Sequence, residues 1–248
     1  MTQAVIELKG VSKAFGGVVA NHNVSLTVPR GRITGLIGPN GSGKSTLFSS
    51  IVGYHPIDAG SILFNGREIS RLSVPEIARL GLLRTFQSTR IYGKMSCLEN
   101  LLISETQREV GIFTMFAHRR KEVIDRAEGL LSFVGLYPKR FLPAGSLSFG
   151  QQKLLEFAMA LMNEPEALLL DEPTAGINPT LINGLIDRLK RANLDFGITL
   201  FIIEHNMHVV MSMASKIYCL AHGELLAEGD ALSIQQDKRV IEAYLGAH

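Results

Sequence analysis

The chain has 248 residues, of which 46% are hydrophobic and 19% are charged. This composition is typical of a globular protein large enough to bury its own core, and it excludes a disordered chain and a small disulfide-stapled one. The 25 basic and 23 acidic side chains leave a formal charge of +2. So small a balance predicts no nucleic-acid partner and no strong attraction to an anionic membrane surface.

The two cysteines, Cys97 and Cys219, lie far apart in the sequence and show no spacing typical of metal ligands. They are predicted to be buried free thiols in a reducing compartment. The N-terminal residues lack the apolar core of a secretion signal, and no stretch approaches the roughly 20 apolar residues of a membrane helix. If the protein works at a membrane, we therefore expect a partner to hold it there.

The first half of the chain predicts short strands and then helices, separated by turn residues. Apolar runs of strand length lie at residues 5–8, 18–20, 24–28, 33–37 and 61–64. Helical spacing of apolar residues is present at 44–52, 96–106 and 119–134. Ser73 and Glu76 form a capping-box pattern that predicts one more helix start.

Beyond residue 150 strands and helices alternate. Predicted helices lie at 149–162, 181–193, 207–214 and 240–245, and predicted strands at 167–170, 199–203 and, as a pair, within 217–227. This alternation is typical of a parallel sheet with crossover helices. The residues from 88 to 140 are then a helical insertion between two α/β portions.

A phosphate-binding motif follows the predicted strand at 33–37. The sequence Gly38-Pro-Asn-Gly-Ser-Gly-Lys-Ser45 fits G-x-x-x-x-G-K-[ST] and stands between a buried strand and a helix. Its glycines let the backbone approach phosphate oxygens, and the N–H groups at the helix start point at the anion. Lys44 adds a charge for the β- and γ-phosphates, and the Ser45 hydroxyl is a ligand for Mg²⁺. The predicted nucleotide contacts are Asn40, Gly41, Ser42, Gly43, Lys44, Ser45 and Thr46.

Two carboxylates end the strand at 167–170. Asp171 emerges beside the phosphate loop, where it can hold Mg²⁺ through water. Glu172 points elsewhere and can polarise the attacking water as a general base. A solvated strand end is the alternative for such a pair, and the presence of the phosphate loop disfavours it.

Three more motifs occur along the chain in a fixed order with the phosphate loop and the carboxylate pair. They are Arg84-Thr-Phe-Gln87, Leu147-Ser-Phe-Gly-Gln151 and the histidine of Phe201-Ile-Ile-Glu-His205. With the phosphate loop and Asp171-Glu172 they resemble the ATP-binding subunits of ABC transporters over essentially the whole chain. The Leu-Ser-x-Gly-Gln element is specific to that family, whereas the phosphate loop is shared by many.

The resemblance implies an α/β fold: a P-loop NTPase core with a mixed sheet, an N-terminal antiparallel β subdomain and an inserted α-helical subdomain. One cassette would fill residues 1–248. Its core would comprise 1–87 and 141–248, and its helical subdomain 88–140. The cofactors implied are ATP and Mg²⁺.

The resemblance also implies roles for Leu147-Ser-Phe-Gly-Gln151, the signature element of the family. Ser148 can cap the following helix, with Gln151 at the third helical position. A helix N-terminus carrying Ser148 and Gly150 is also an anion site. In the family, Ser148, Gly150 and Gln151 would bind the γ-phosphate held by the other subunit of a dimer. Capping alone is the alternative.

Three further residues acquire roles only from the resemblance. His205 would contact the γ-phosphate and orient the attacking water, and would be catalytic together with Glu172 and Lys44. The alternative for His205 is an ordinary core or surface histidine. Gln87 would complete the Mg²⁺ shell, or be a plain strand-end amide. Phe15 would stack on adenine, since a flat base needs only a π-face. A core or turn phenylalanine is the alternative.

Several departures from the common family pattern resemble the branch that imports branched-chain amino acids, which includes relatives moving amides or urea. Phe149 replaces the usual second glycine of the signature, and Asn178 stands where an aspartate is common. The phrase Val240-Ile-Glu-Ala-Tyr-Leu-Gly246 points the same way. This implies an ATPase at the cytoplasmic face of the cell membrane that powers uptake.

The implied partners are a second ATPase subunit, identical or paralogous, membrane permease subunits and, indirectly, a substrate-binding protein. Three alternatives remain. They are a non-transport ABC ATPase acting in DNA repair or translation, a small-molecule kinase with a phosphate loop, and a nucleotide-binding regulator without turnover. The signature disfavours the kinase, and Glu172 with His205 disfavours the regulator.

Overall fold

A computed structural model of the protein describes residues 3–85, 91–105 and 116–245, except for the side chains of 116–120. Its strands are β1 Ala4–Phe15, β2 Val18–Pro29, β3 Ile33–Ile37, β4 Ala59–Phe64, β5 Arg67–Glu68, β6 Leu82–Arg84, β7 Ala167–Asp171, β8 Thr199–Ile203, β9 Lys216–Ala221 and β10 Glu224–Gly229. Its helices are α1 Lys44–Ile51, α2 Val74–Arg79, α3 Cys97–Ser104, α4 Phe116–Phe133, α5 Phe149–Leu161, α6 Pro179–Asp195, α7 Met207–Met213, α8 Ala231–Gln236 and α9 Lys238–Leu245.

The larger sheet has six strands in the order β10-β9-β3-β8-β7-β6. Strands β9, β3, β8, β7 and β6 pair in parallel, and β10 adds an antiparallel edge. Every residue of β3, β7 and β8 is buried, as expected for strands covered on both faces. The predicted mixed sheet is therefore confirmed, and the carboxyl ends of β3, β7 and β8 meet at one edge.

The smaller sheet is antiparallel, in the order β2-β1-β4-β5. It confirms the predicted N-terminal β subdomain. The hydroxyl of Tyr218 on β9 ties it to the larger sheet, because it accepts from the backbone N–H of Thr27 at 3.0 Å and donates to the Thr27 carbonyl at 2.7 Å. Apolar side chains of both sheets and of α1 share one core, in which Phe48 and Phe201 lie 4.8 Å apart between ring centroids.

The chain divides into two compact units. The core unit comprises Met1–Arg84, Glu166–Pro173 and Leu189–His248, and the helical unit comprises Thr85–Pro165 and Thr174–Arg188. In the helical unit α3 packs against α4 and α5 over buried residues that include Leu101, Ala127 and Leu131. The division predicted from sequence, with a helical subdomain at 88–140, stays a prediction.

Most predicted elements are present with shifted ends, and four differ: β2, β6, α8 and the two-residue strand β5, which was not predicted. The expected strands at 18–20 and 24–28 are one strand, β2, because β1 pairs with it along its whole length through several register shifts. Strand β6 has three residues and helix α8 has six, so neither carries a periodic pattern long enough to predict.

The predictions about cysteines and membrane segments can also be compared with the structure. Cys97 and Cys219 are buried free thiols, as predicted. Among the helices of the described residues, none combines the length and the apolar character that crossing a bilayer requires.

Candidate functional site

The phosphate loop connects β3 to α1 and is tightly braced within the core unit. Gly43 caps α1 with a left-handed backbone, φ +97°, and a Cβ at this position would lie 2.2 Å from the carbonyl oxygen of Ala20. The side-chain amide of Asn21 donates to the Gly43 carbonyl at 3.2 Å. The N–H of Gly223 donates to the Ser42 carbonyl at 3.2 Å. Glycine at 43 is therefore required by both conformation and space.

Lys44, the first residue of α1, folds its side chain back onto this loop. Its ammonium donates to the carbonyls of Gly38 and Pro39, both at 2.8 Å, and to the Ser42 hydroxyl at 3.3 Å. Only 5% of the residue is exposed. Burial lowers the pKa of Lys44, while the charges of Glu172 and Asp171 oppose that shift. The ammonium is thus a desolvated cation held by weak neutral acceptors.

The other predicted loop residues differ in their exposure. Ser42 is buried, whereas Asn40, Gly41 and Ser45 are exposed and Thr46 is partly exposed. The exposed group includes the predicted Mg²⁺ ligand Ser45. Exposure of this part of the loop leaves it accessible to a ligand.

Asp171 ends β7 beside the loop and is bound by an arginine that sequence reasoning named only as part of a motif. The guanidinium of Arg84, at the end of β6, contacts one Asp171 carboxylate oxygen at 2.5 Å, with the two side chains 8% and 2% exposed. The same guanidinium donates to the Ser49 hydroxyl at 2.7 Å, which donates to the Ser45 carbonyl at 2.8 Å. Arg84 therefore links the carboxylate to the first turns of α1.

The second carboxylate oxygen of Asp171 is buried and has no hydrogen-bond partner among the described residues. A buried unpaired carboxylate oxygen is costly unless a ligand satisfies it. No group of three or more His, Cys, Asp or Glu side chains within 3–85, 91–105 and 121–245 could hold a metal by itself. Mg²⁺ bound to one carboxylate, a hydroxyl, phosphate and water fits this donor set.

Glu172 and His205 form a pair at the same sheet edge. Glu172 follows β7 and His205 follows β8, and the imidazole Nε2 lies 2.6 Å from the Glu172 Oε1. Glu172 has a left-handed backbone, φ +49°, and its N–H donates to the Ile203 carbonyl at 3.0 Å. Such a backbone costs about 1–2 kcal/mol for a residue other than glycine. Strain of this kind concentrates at functional sites.

Phe15, at the end of β1, is 45% exposed, so the alternative of a core phenylalanine is wrong. Its ring meets that of His55 at 5.1 Å between centroids in an edge-to-face arrangement. The Lys13 ammonium lies 5.2 Å from the ring centroid and pairs with Asp58 at 2.9 Å. The phenylalanine therefore presents a supported ring to solvent.

In the helical unit, the Leu147-Ser-Phe-Gly-Gln151 element begins α5 as predicted. The Ser148 hydroxyl accepts from the Gln151 N–H at 3.4 Å, and the Gln151 side chain accepts from the Ser148 N–H at 3.2 Å. This confirms the capping box. Gly150 is buried, whereas Phe149 is 46% exposed. The Phe149 ring lies against Gly176, and a Cβ on Gly176 would be 2.9 Å from that ring.

Two predicted positions remain. The side-chain oxygen of Asn178 accepts from the N–H and the hydroxyl of Thr180 at 3.1 and 2.9 Å, so it caps the start of α6. Gln87, the predicted Mg²⁺ ligand, lies outside the described residues.

Comparisons with known proteins agree with this geometry. A family profile described as ABC transporter matches residues 21–175. Over 99% of both chains, the sequence is 36% identical to the high-affinity branched-chain amino acid transport ATP-binding protein LivG of Escherichia coli K12. The chain belongs to the ABC transporter family. A second profile, described as branched-chain amino acid ATP-binding cassette transporter, matches residues 224–248 of this ABC protein.

Two solved structures place the fold of this ABC family member among known cassettes. The ADP conformation of an ATP-binding cassette of an ABC transporter superposes with a TM-score of 0.87 at 32% identity, covering 99% of this chain and 100% of that chain. A dimeric structure of a bacterial ABC transporter cassette superposes with a TM-score of 0.78 at 26% identity, covering 91% and 98%. The predicted fold class is confirmed.

The structure of this ABC cassette adds contacts that sequence reasoning missed. Arg84 binds Asp171 across 87 positions of the sequence, and the N–H of Gly38 donates to the Tyr244 hydroxyl across 206 positions. Residues so far apart in the sequence belong to no local motif, so a search for short motifs does not pair them. The sequence still held one chemical indication that Arg84 has a partner. An arginine in an apolar stretch, three positions before Gln87, needs a partner once it is buried.

Proposed function

We propose that this chain is the ATP-hydrolysing subunit of an importer for branched-chain or related hydrophobic amino acids. The observation that carries the proposal is the convergence at one sheet edge of the phosphate loop, Asp171 and the Glu172–His205 pair. ATP hydrolysis needs these groups at one place: a cradle for phosphates, a carboxylate for a metal and a base for water.

The phosphate loop binds the β- and γ-phosphates of ATP through its N–H groups and the start of α1. Lys44 leaves the loop carbonyls that hold it at 2.8 Å and turns to the phosphate oxygens. A desolvated ammonium exchanges neutral acceptors for anionic ones in this step, so the interaction strengthens. Phe15 holds the adenine by stacking on its exposed ring.

Mg²⁺ would be held by Asp171, Ser45 and Gln87 and would neutralise the charge of the β- and γ-oxygens. Arg84 fixes one oxygen of Asp171 and so turns the other toward the ligand. The unpaired carboxylate oxygen of Asp171 supports this assignment.

Glu172 acts as the general base and His205 holds it. Water attacks the γ-phosphorus, the bond to the β–γ bridging oxygen breaks, and the proton of the water passes to the Glu172 carboxylate. The 2.6 Å contact between His205 Nε2 and Glu172 Oε1 supports a fixed orientation for the base. A positioned base typically contributes about 100- to 10,000-fold to a rate.

The signature element acts on the nucleotide of a second subunit. The N-terminus of α5, with Ser148, Gly150 and Gln151, exchanges its capping contacts for the γ-phosphate held by the partner, which it binds through N–H groups and the Ser148 hydroxyl. ATP then closes a dimer by binding both subunits, and loss of the γ-phosphate opens it. The dimeric cassette of a bacterial ABC transporter supports this arrangement.

Transport requires membrane permease subunits, which would dock on the helical subdomain predicted at 88–140 and place the chain at the cytoplasmic face of the membrane. A substrate-binding protein would act through that permease. The name of the LivG relative and the profile matched by residues 224–248 favour branched-chain amino acids over amides, urea or a role outside transport.

The variant Glu172→Gln tests the catalytic part. We expect ATP binding to persist, hydrolysis to fall at least about 100-fold, and a dimer to accumulate with ATP in size-exclusion chromatography with light scattering. The matched control is Glu224→Gln, at an exposed position on β10, which should turn over like the wild type. Wild-type turnover by Glu172→Gln would remove this residue as the base.

Purification from membranes tests the transport part. A tagged chain should bring down membrane permease subunits, and the complex reconstituted with its substrate-binding protein should accumulate leucine only with ATP. Recovery of ribosomes or DNA without a membrane subunit would instead support the non-transport alternative.

A further inference from the structure

The last helix of the described chain, α9, reaches the first residue of the phosphate loop. The backbone N–H of Gly38 donates a hydrogen bond to the hydroxyl of Tyr244, with 2.9 Å between nitrogen and oxygen. Gly38 directly follows β3, so this contact lies where the strand ends and the loop begins. A side chain from the C-terminal segment therefore binds the backbone of the nucleotide loop.

Gly38 has two further close contacts. A Cβ at this position would lie 2.1 Å from the carbonyl oxygen of Leu220, so the backbone is pressed against β9. The Gly38 carbonyl accepts from the Lys44 ammonium at 2.8 Å. When Lys44 turns to a phosphate, the bond from the Gly38 N–H to Tyr244 remains and holds the preceding peptide group, Ile37–Gly38, in place.

Tyr244 is itself held in position. Its side chain packs against an apolar cluster made by β3, β9, β10, α7 and the last two helices, with members that include Ile37, Cys219, Ala227, Ile234 and Val240. Burial raises the pKa of Tyr244 to about 12, so its hydroxyl stays protonated at physiological pH. A packed ring with a neutral hydroxyl has little freedom to lose when it binds the loop.

We propose that Tyr244 is a positioning residue of the nucleotide site: its hydroxyl sets the Gly38 peptide and so aims the loop's N–H groups at the phosphates. This inference rests on the proposed function as an ATPase. Without the hydroxyl, the buried Gly38 N–H lacks this partner and the start of the loop loosens. ATP must then order the loop on binding, at a cost in affinity.

The variant Tyr244→Phe removes the hydroxyl and keeps the packed ring. We expect the Kd for a fluorescent ATP analogue to rise about three- to tenfold, as for the loss of one hydrogen bond. In ATPase assays KM should rise by a similar factor while kcat stays within about twofold, because the base and its water are untouched. A role in packing alone would leave both values unchanged.

The matched control is Tyr218→Phe. It also removes a hydrogen-bonded hydroxyl from the core unit, but this hydroxyl bonds to the backbone of Thr27 and not to the loop. We expect it to lower the unfolding temperature and leave the Kd for the ATP analogue within about twofold. An equal loss of affinity in both variants would overturn the proposal, because general destabilisation would then explain it.

Amide hydrogen exchange without nucleotide gives a readout that does not depend on ATPase activity. A peptide covering residues 34–41 should exchange faster in Tyr244→Phe than in the wild type and in Tyr218→Phe. Unchanged exchange and unchanged affinity in Tyr244→Phe would overturn the inference alone. A wild-type chain that binds no ATP would overturn the proposed function and this inference together.

Discussion

Arg84 provides a sharp test of how the core unit holds its buried carboxylate. In Arg84→Met the apolar stem is kept, and the Asp171 carboxylate, 2% exposed, loses the guanidinium 2.5 Å away. Removing one partner of a buried ion pair lowers the free energy of unfolding by about 3–5 kcal/mol, because the charge of the other partner stays buried and uncompensated. For a chain of this size that loss corresponds to a fall of roughly 6–20 °C in the unfolding temperature.

The assay is thermal unfolding followed by circular dichroism, without nucleotide, for Arg84→Met, Asp171→Asn and the double variant. The double variant should recover at least about 2 kcal/mol relative to the sum of the single losses, because it leaves no charge behind. The control is Arg191→Met, whose pair with Asp195 is 56% and 50% exposed, and which should lose no more than about 1 kcal/mol. Additive losses in the double variant would refute the reasoning.

Two further predictions concern the signature element and a buried thiol. Ser148→Arg should abolish hydrolysis while the Kd for a fluorescent ATP analogue stays unchanged, because the residue is proposed to act on the partner's nucleotide; Ser132→Arg, at an exposed position of α4, should remain active. Burial raises the pKa of the Cys219 thiol from 9.0 to about 11. The unfolded chain therefore loses this proton at a lower pH than the folded chain, and the free energy of unfolding falls as the pH rises from roughly 9 to 11. Denaturant midpoints at pH 8 and 10.5 should differ less in Cys219→Ala than in the wild type, and equal differences would contradict this.

Much of this cassette was predictable from local patterns. The phosphate loop, the paired carboxylates and the capping box at Ser148 are each encoded within a few consecutive residues, and periodicity extends the prediction to most helices and strands. The buried strands β3, β7 and β8 were visible as apolar runs of five residues or so, because a strand covered on both faces needs no alternation.

Other features needed the folded chain. Whether Phe15 was buried or exposed could not be read from its neighbours, since exposure depends on what packs around it. The left-handed backbone of Glu172 and its contact with His205 arise where two strands end side by side. The short strand β6 exists because β7 offers it a paired edge.

The sequence alone therefore sufficed to propose the residues of the nucleotide site, because the motifs for phosphate cradles and general bases are short. The supports of that site came from the tertiary structure. Arg84 reaches Asp171 and Tyr244 reaches Gly38 across 87 and 206 positions. Burial makes these contacts necessary, since a charge or an N–H group removed from water needs a partner wherever the fold can bring one.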